Sequence, residues 1–465
     1  MSAPRPIAVG IDLGSTAIKA GVLDDLGSLK DVRSVAAPPL RGEGNVREGD
    51  ADAYTSAARD LLQSVAERVP SGTPLGVATQ RSTFTLWDRH EGRSWFPMVS
   101  WQDRRAAGWC DRHRAIEPEI VRRTGLPLSA HYAGPKLAAV RETDEEFAAA
   151  LRSGRFAFGT LETFLIWQWS AGRRHETDVT VAARTLMLDL ERDDWSPRLL
   201  ERFGVPAAVL PAVVPSTGRH LPLEEGLELE ATLSDQAAAA LAVFDPARRS
   251  ALVNLGTGAF VLLPTERSDV REPGYLLAPV LAGADGERRY ALEGTVNGAG
   301  PAVDTFGPGP TELGESDPSP DAFAVPDRSG LGSPYWRPDV GLTLSTAAER
   351  LDDRGRRRVV LEGVLFRTRQ ILEDLCDGVL PDRIVVAGGL LRDPAVGPGL
   401  AALLGRPVEL LLERESGLLG ASRLAAGLAP YAESPTEAVE PTSQGSYLPE
   451  KFSAWRQWLD DLLAA

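Results

Sequence analysis

Three short apolar runs, each broken by glycine, set the rhythm of this chain. The first, Ile7-Ala8-Val9-Gly10-Ile11-Asp12-Leu13-Gly14-Ser15-Thr16, predicts a strand that gains an acid near its end and then turns through small residues. The second, Ala251-Leu252-Val253-Asn254-Leu255-Gly256-Thr257-Gly258-Ala259-Phe260, repeats strand, glycine turn and strand about half the chain later, which predicts two related lobes. A third break, Ile384-Val385-Val386-Ala387-Gly388-Gly389, falls late in the second half. Helical stretches over 52–69, 358–375 and 416–427 alternate with these strands and predict α/β layers. The run 307–330, rich in proline, glycine and acids, predicts a mobile surface loop. Residues 430–449 read as a tail wrapped over the surface, ending in an amphipathic helix over 455–463.

A chain of 465 residues exceeds what one apolar core supports, so the expected organisation is a lobe over 1–245, a lobe over 246–429 and a C-terminal tail and helix over 430–465. The net charge of −15 argues against a nucleic-acid partner and against an anionic membrane surface. It leaves room for a phosphate ligand, because a few backbone N–H groups and one cation hold phosphate inside an acidic protein. Cys110 and Cys376 stand far apart, with no metal-ligand spacing and no disulfide framework to propose. Pro4-Arg5-Pro6 leads straight into a strand rather than a signal segment, and no 18-residue apolar run occurs. The expected location is the cytoplasm.

Several residues can carry chemistry. After the first strand, turn N–H groups near Gly14, the hydroxyls of Ser15 and Thr16 and the Lys19 ammonium can converge on phosphate oxygens, with Asp12 able to hold magnesium. The same residues also suit an ordinary tight turn. Gly256-Thr257-Gly258 offers a second close approach to phosphate, or a plain hairpin. Gly388-Gly389 reads either as a nucleotide wall or as close helix packing. There is no Walker A pattern, which argues against a P-loop enzyme. Asp235, in Ser234-Asp235-Gln236 before an alanine-rich helix, suits a general base and equally suits helix capping. The segment from Ala78 to Asp88, with Trp101-Gln102-Asp103-Arg104-Arg105, mixes cationic forks, amides and indoles that bind hydroxyls and C–H faces of a polyol, or forms a sheet edge with solvated arginines.

Taken in order, these segments resemble the FGGY carbohydrate kinases over nearly the whole chain, and within that family the glycerol kinase pattern most of all. The resemblance is carried by Asp12-Leu13-Gly14-Ser15-Thr16, Thr79-Gln80-Arg81 with Trp101-Gln102, Gly159-Thr160 and Ala183-Arg184-Thr185-Leu186-Met187. It continues through Ser234-Asp235-Gln236, Gly256-Thr257-Gly258-Ala259-Phe260, Ala291-Leu292-Glu293-Gly294, Gly332-Ser333-Pro334-Tyr335-Trp336 and Gly388-Gly389. It implies a two-domain, actin-like ATPase (ribonuclease H-like) α/β fold with a cleft between the lobes. It also implies ATP-dependent phosphorylation of a small sugar or polyol, such as xylulose or a glycerol-like polyol, with ATP and Mg2+ required.

The resemblance makes Asp235 the catalytic base and places Asp12 and Asp235 near the metal. Gly14, Ser15, Thr16, Lys19, Gly256, Thr257, Gly258, Gly300, Asp304, Gly388, Gly389 and Asp393 fall beside the nucleotide. Arg81, Ser82, Trp101, His131, Tyr132, Gln236 and Phe260 fall in the acceptor pocket. Ser82 stands where glycerol kinases have a glutamate, and His131, next to Tyr132, where they have a tyrosine. The lost carboxylate would have bound two hydroxyls, which argues against glycerol itself. Asp304 and Asp393 replace a nucleotide-side glutamine and asparagine; their charge favours a second reading, a nucleotide-binding regulator on the same fold without turnover. The expected partners are the acceptor and ATP, with homodimerisation left open and no nucleic acid or membrane.

Overall fold

The computed structural model describes residues 4–245, 249–428 and 434–464. The two main sheets repeat one plan. In the first, strands Pro6–Leu13, Ala17–Asp24 and Leu29–Ala36 form an antiparallel meander, and Thr73–Thr79 and then Leu227–Ser234 add parallel to its inner edge. In the second, Ser250–Leu255, Ala259–Thr265 and Arg288–Val296 form the meander, with Arg383–Ala387 and Val408–Leu411 parallel beside it. This correspondence realises the repeat read from the two glycine turns and is the ribonuclease H-like order expected of an actin-like fold. Strands buried on both faces explain the nearly unbroken apolar runs in the sequence.

The helices also stand where periodicity put them, at Ala51–Ala66, Asp353–Leu375 and Ser416–Ala425. Asp50 caps the first of these, its carboxylate accepting the Ala53 N–H at 2.9 Å. Helix Ser416–Ala425 comes between two strands of the second sheet in sequence, Val408–Leu411 and Thr436–Val439, yet lies on the first. A Cβ on Gly76 would sit 2.0 Å from the Ala421 carbonyl oxygen, and one on Gly420 would sit 1.9 Å from that of Ala238. Only glycine permits backbones to meet this closely.

Two expectations are corrected. The run 307–330 is not a free surface loop: Ala322–Val325 belong to the second core, and Ala324–Val325 pair with Thr343–Leu344. Asp327 in the same run is fully buried against Arg367, at 3.4 Å. The proline- and glycine-rich composition hid these anchors, which are single residues rather than a period. The final helix begins earlier than expected and spans Leu448–Ala464, because Pro449 sits in the first turn, where it loses no hydrogen bond. Its Trp455 indole donates to the Ala324 carbonyl at 2.9 Å and ties the tail to that strap. Part of the tail is also strand, since Thr436–Val439 closes the edge of the second sheet. The lobe boundaries expected at 245/246 and 429/430 fall at 246–248 and 429–433, outside the described residues.

Because the Gly420 contact leaves no space for a side chain, Gly420→Val is expected to destabilise the protein by about 1–3 kcal/mol. Denaturant unfolding checks this, and a midpoint equal to that of the unsubstituted protein refutes the packing argument.

Candidate active site

Parallel strands deliver their C-terminal ends to one edge of a sheet, and ligands of α/β proteins collect there. In the first sheet Leu13 pairs with Thr79, and Thr79 with Ser234, so Asp12, Arg81 and Asp235 emerge side by side. Asp235 is the first residue of helix Asp235–Leu241. Ser234 precedes that helix without a side-chain capping bond, and Asp235 Oδ1 accepts only the N–H of Gln236, at 2.7 Å. Among the described residues Oδ2 has no hydrogen-bond donor, and the side chain keeps 34% of its surface open. The carboxyl is raised above the ordinary aspartate range, chiefly by burial, against the lowering effect of Arg81 and the Gln236 N–H.

Asp12 is held nearby. Its Oδ1 is buried without a hydrogen-bond partner, and burial followed by the charge of Asp235 pushes its carboxyl up to about 7, with Lys19 opposing and Glu415 adding to the rise. A Cβ on Gly417, at the start of helix Ser416–Ala425, would lie 3.8 Å from Asp12 Oδ2 and 3.4 Å from the Asp235 carbonyl oxygen. An orphaned carboxylate oxygen beside a second acid suits a hard divalent cation bound through oxygen. Tyr54 donates to the Gly14 carbonyl at 2.7 Å and fixes the turn that carries Ser15 and Thr16. Lys19 was expected at phosphate. Its ammonium lies 2.6 Å from Glu415.

The second sheet supplies the facing turn. The Gly256 N–H donates to the Gly258 carbonyl at 2.9 Å, Thr257 is exposed, and the Gly300 N–H reaches the Thr257 carbonyl at 3.3 Å. Gly388, at φ 102°, abuts the end of strand Ser250–Leu255, where a Cβ would come within 2.4 Å of the Leu255 carbonyl oxygen; Gly389 beside it is exposed. Gln236 accepts from Asn254 Nδ2 at 3.2 Å, so the residue after Asp235 already touches the other lobe.

Beside Asp235, Arg81 forms a two-pronged pair with Glu293, Nη1 to Oε2 at 2.8 Å and Nη2 to Oε1 at 3.2 Å. Its Nε lies 3.8 Å from Asp235 Oδ1, and its guanidinium stands 5.5 Å from the centre of the Phe260 ring. Arg184 also donates to Glu293. Burial pushes the Glu293 carboxyl up, but Arg184 and Arg81 overcome it and hold the group down at about 2. The Trp101 and His131 rings are 5.6 Å apart, and His131 meets Tyr132 edge-on at 5.0 Å. Burial, reinforced by Lys136, Arg81 and Arg184, keeps His131 well below its ordinary value and therefore neutral near pH 7.

Sequence reasoning missed Glu293, Arg184 and Asn254 as site residues. Each was visible inside a quoted motif, but none has a spacing that reveals a partner in the other lobe. Three of the residues named from the sequence have protein partners in the structure. Ser82 is fully buried at φ 64° and donates to the Arg184 carbonyl at 2.9 Å, so it supports the site from behind. Asp393 is turned into the protein, where it accepts from Thr311 Oγ1 at 2.7 Å and pairs with Arg357 at 3.3 Å. Asp304 is half-exposed and paired with Arg392 at 2.9 Å. A separate cavity of about 670 Å3, lined in part by Arg141, Trp195 and Gly204, includes none of these residues in its lining.

Residues 7–232 match the N-terminal domain, and residues 251–429 the C-terminal domain, of the FGGY family of carbohydrate kinases. The chain belongs to that family. This FGGY kinase is 34% identical to a glycerol kinase of Methylobacterium nodulans over 427 residues, 84% of each chain. It is 31% identical to one from Cereibacter sphaeroides, covering 96% of this chain and 97% of the other. Among solved structures it is similar to Plasmodium falciparum glycerol kinase with ADP (TM-score 0.82, 19% identity, 99% of each chain). It is also similar to Lactobacillus acidophilus xylulose kinase (TM-score 0.83, 18% identity, 98% of each chain). These structural likenesses establish the two-lobed, actin-like fold. No helix among the described residues is long and apolar enough to cross a membrane.

The different settings of Asp393 and Asp304 in this FGGY kinase have different costs. Asp393→Ala removes the nearer carboxylate of the buried Arg357, leaving it Asp304 at 3.8 Å and the Val303 and Gly307 carbonyls, and strips Thr311 of its acceptor; it is expected to destabilise by about 1–3 kcal/mol. Asp304→Ala is expected to change stability by less than about 0.5 kcal/mol. Thermal unfolding of the two variants side by side checks the contrast.

Proposed function

We propose that this kinase transfers the terminal phosphoryl group of ATP to a hydroxyl of a small sugar or polyol, a pentulose such as xylulose or a glycerol-like polyol, with Asp235 as general base. The observation that carries the reading is the free Oδ2 of Asp235, on a carboxylate that helix capping does not consume. The acceptor hydroxyl gives its proton to that oxygen as its own oxygen bonds to the terminal phosphorus, and the bond from that phosphorus to the bridging oxygen breaks to release ADP. A raised carboxyl is a better proton acceptor than an ordinary aspartate, and positioned base catalysis contributes about 10²–10⁴-fold. Asp12 and Asp235 fit a magnesium ion, whose chemistry is to neutralise charge on the phosphates.

Arg81, Trp101, His131, Tyr132 and Phe260 form the acceptor pocket in this reading, and the turns at Gly14–Thr16, Gly256–Gly258, Gly300 and Gly388–Gly389 face the nucleotide. Closure of the lobes excludes water, which would otherwise compete with the acceptor for the phosphoryl group. Asp304 and Asp393 no longer argue for a regulator without turnover, since both are matched by arginines. The relatives named glycerol kinase and the xylulose kinase neighbour support the acceptor class. The replacement of a carboxylate by the buried Ser82 favours a pentulose over glycerol.

A coupled ADP-release assay with D-xylulose, glycerol and D-gluconate tests the reading. Acceptor-dependent turnover is expected, and Asp235→Asn should reduce it by about 10²–10⁴-fold with ADP affinity retained. Turnover that ignores every acceptor refutes it. Because Asp12 must be ionised to bind a cation and its carboxyl is raised to about 7, magnesium affinity should be weaker at pH 6 than at pH 8. Calorimetric titration of magnesium with ADP present checks the sign.

A further inference from the structure

We infer that Glu293 is a positioning residue that makes the acceptor pocket complete only when the two lobes are together. The inference rests on the functional reading above. Arg81 leaves the first sheet just after Thr73–Thr79, whereas Glu293 lies within Arg288–Val296 of the second sheet. On that second sheet Glu293 pairs directly with Leu262, so Phe260, two residues along, presents its ring on the same face. One lobe therefore supplies both the carboxylate that grips the Arg81 fork and the ring beneath its plane.

The geometry gives this grip a direction. With Nη1 and Nη2 committed to Glu293, the guanidinium is planar-locked and only its Nε edge remains turned to Asp235, at 3.8 Å. Arg184 completes the balance: Arg81 and Arg184 face Glu293 and Asp235, two cations against two anions. The side chains of Arg81, Arg184 and Glu293 are only 11%, 4% and 1% exposed. Separating the lobes would strip both arginines of their shared partner and leave Arg81 free to swing from the base. Glu293 touches neither phosphate turn, so its effect falls on the acceptor and not on the nucleotide.

Glu293→Gln keeps the side-chain shape and removes the charge. The KM for D-xylulose or glycerol, whichever turns over faster with the unsubstituted enzyme, is expected to rise by about tenfold or more, while the Kd for ADP stays within about twofold. Unchanged acceptor KM overturns the inference, and so does an equal loss of ADP affinity, the result of a merely structural charge. Glu293→Asp, which keeps the charge but shortens its reach, should give an intermediate KM and serves if the first variant does not fold. In the unsubstituted protein, either acceptor alone should slow amide hydrogen exchange in Arg288–Val296; no slowing also overturns it. Failure of the functional reading is distinct, since it shows as absent acceptor-dependent turnover before any substitution is made.

Discussion

Burying charge is expensive unless the charges match, and the centre of this kinase is organised by that constraint. Glu293 alone at 1% exposure would be untenable. With Arg81 and Arg184 on either side it is driven the other way, to an acid of about 2. In the proposed function the same two arginines also border the acceptor, so stability and substrate binding would draw on one cluster. The edge of the first sheet that carries Asp12, Arg81 and Asp235 is thus built with help from the second.

The acids at that edge show how one backbone layout gives unlike groups. Asp12 and Asp235 both follow parallel-strand positions, and both are raised by burial. Asp12 lacks any donor on its buried oxygen, whereas Asp235 has an arginine and a helix N–H beside it and one oxygen open. The first suits a cation and the second a proton. Asp393 and Asp304, acids placed near the nucleotide by resemblance, have arginine partners and take no part in this division.

Much of the architecture was legible because it is periodic. The paired glycine turns announced the repeated sheets, and the helices at Ala51–Ala66 and Ser416–Ala425 followed their apolar spacing. Asp12, Arg81 and Asp235 could be chosen because acids and forks after apolar strands are rare and chemically pointed. What stayed hidden depends on contacts between distant segments. Nothing in Ala291-Leu292-Glu293-Gly294 says that its acid reaches a residue 212 positions away. Ser82 looked like a pocket residue by position, and only the fold turns its hydroxyl to Arg184. The buried anchors at Ala322–Val325 were masked by the loop-like composition around them.

The helix Ser416–Ala425 belongs to a late part of the chain but seals the oldest strands to leave the ribosome. Until it is synthesised, Gly10 and Gly76 lack their nearest packing neighbours, since a Cβ on either would first meet Leu418, Ala421 or Ser422 of that helix. The first lobe accordingly cannot finish its core as an independent early unit, and domain-by-domain folding during translation stops short here. A nascent chain must hold its amino-terminal sheet incomplete through most of synthesis, which makes the whole kinase, rather than either half, the unit that folds.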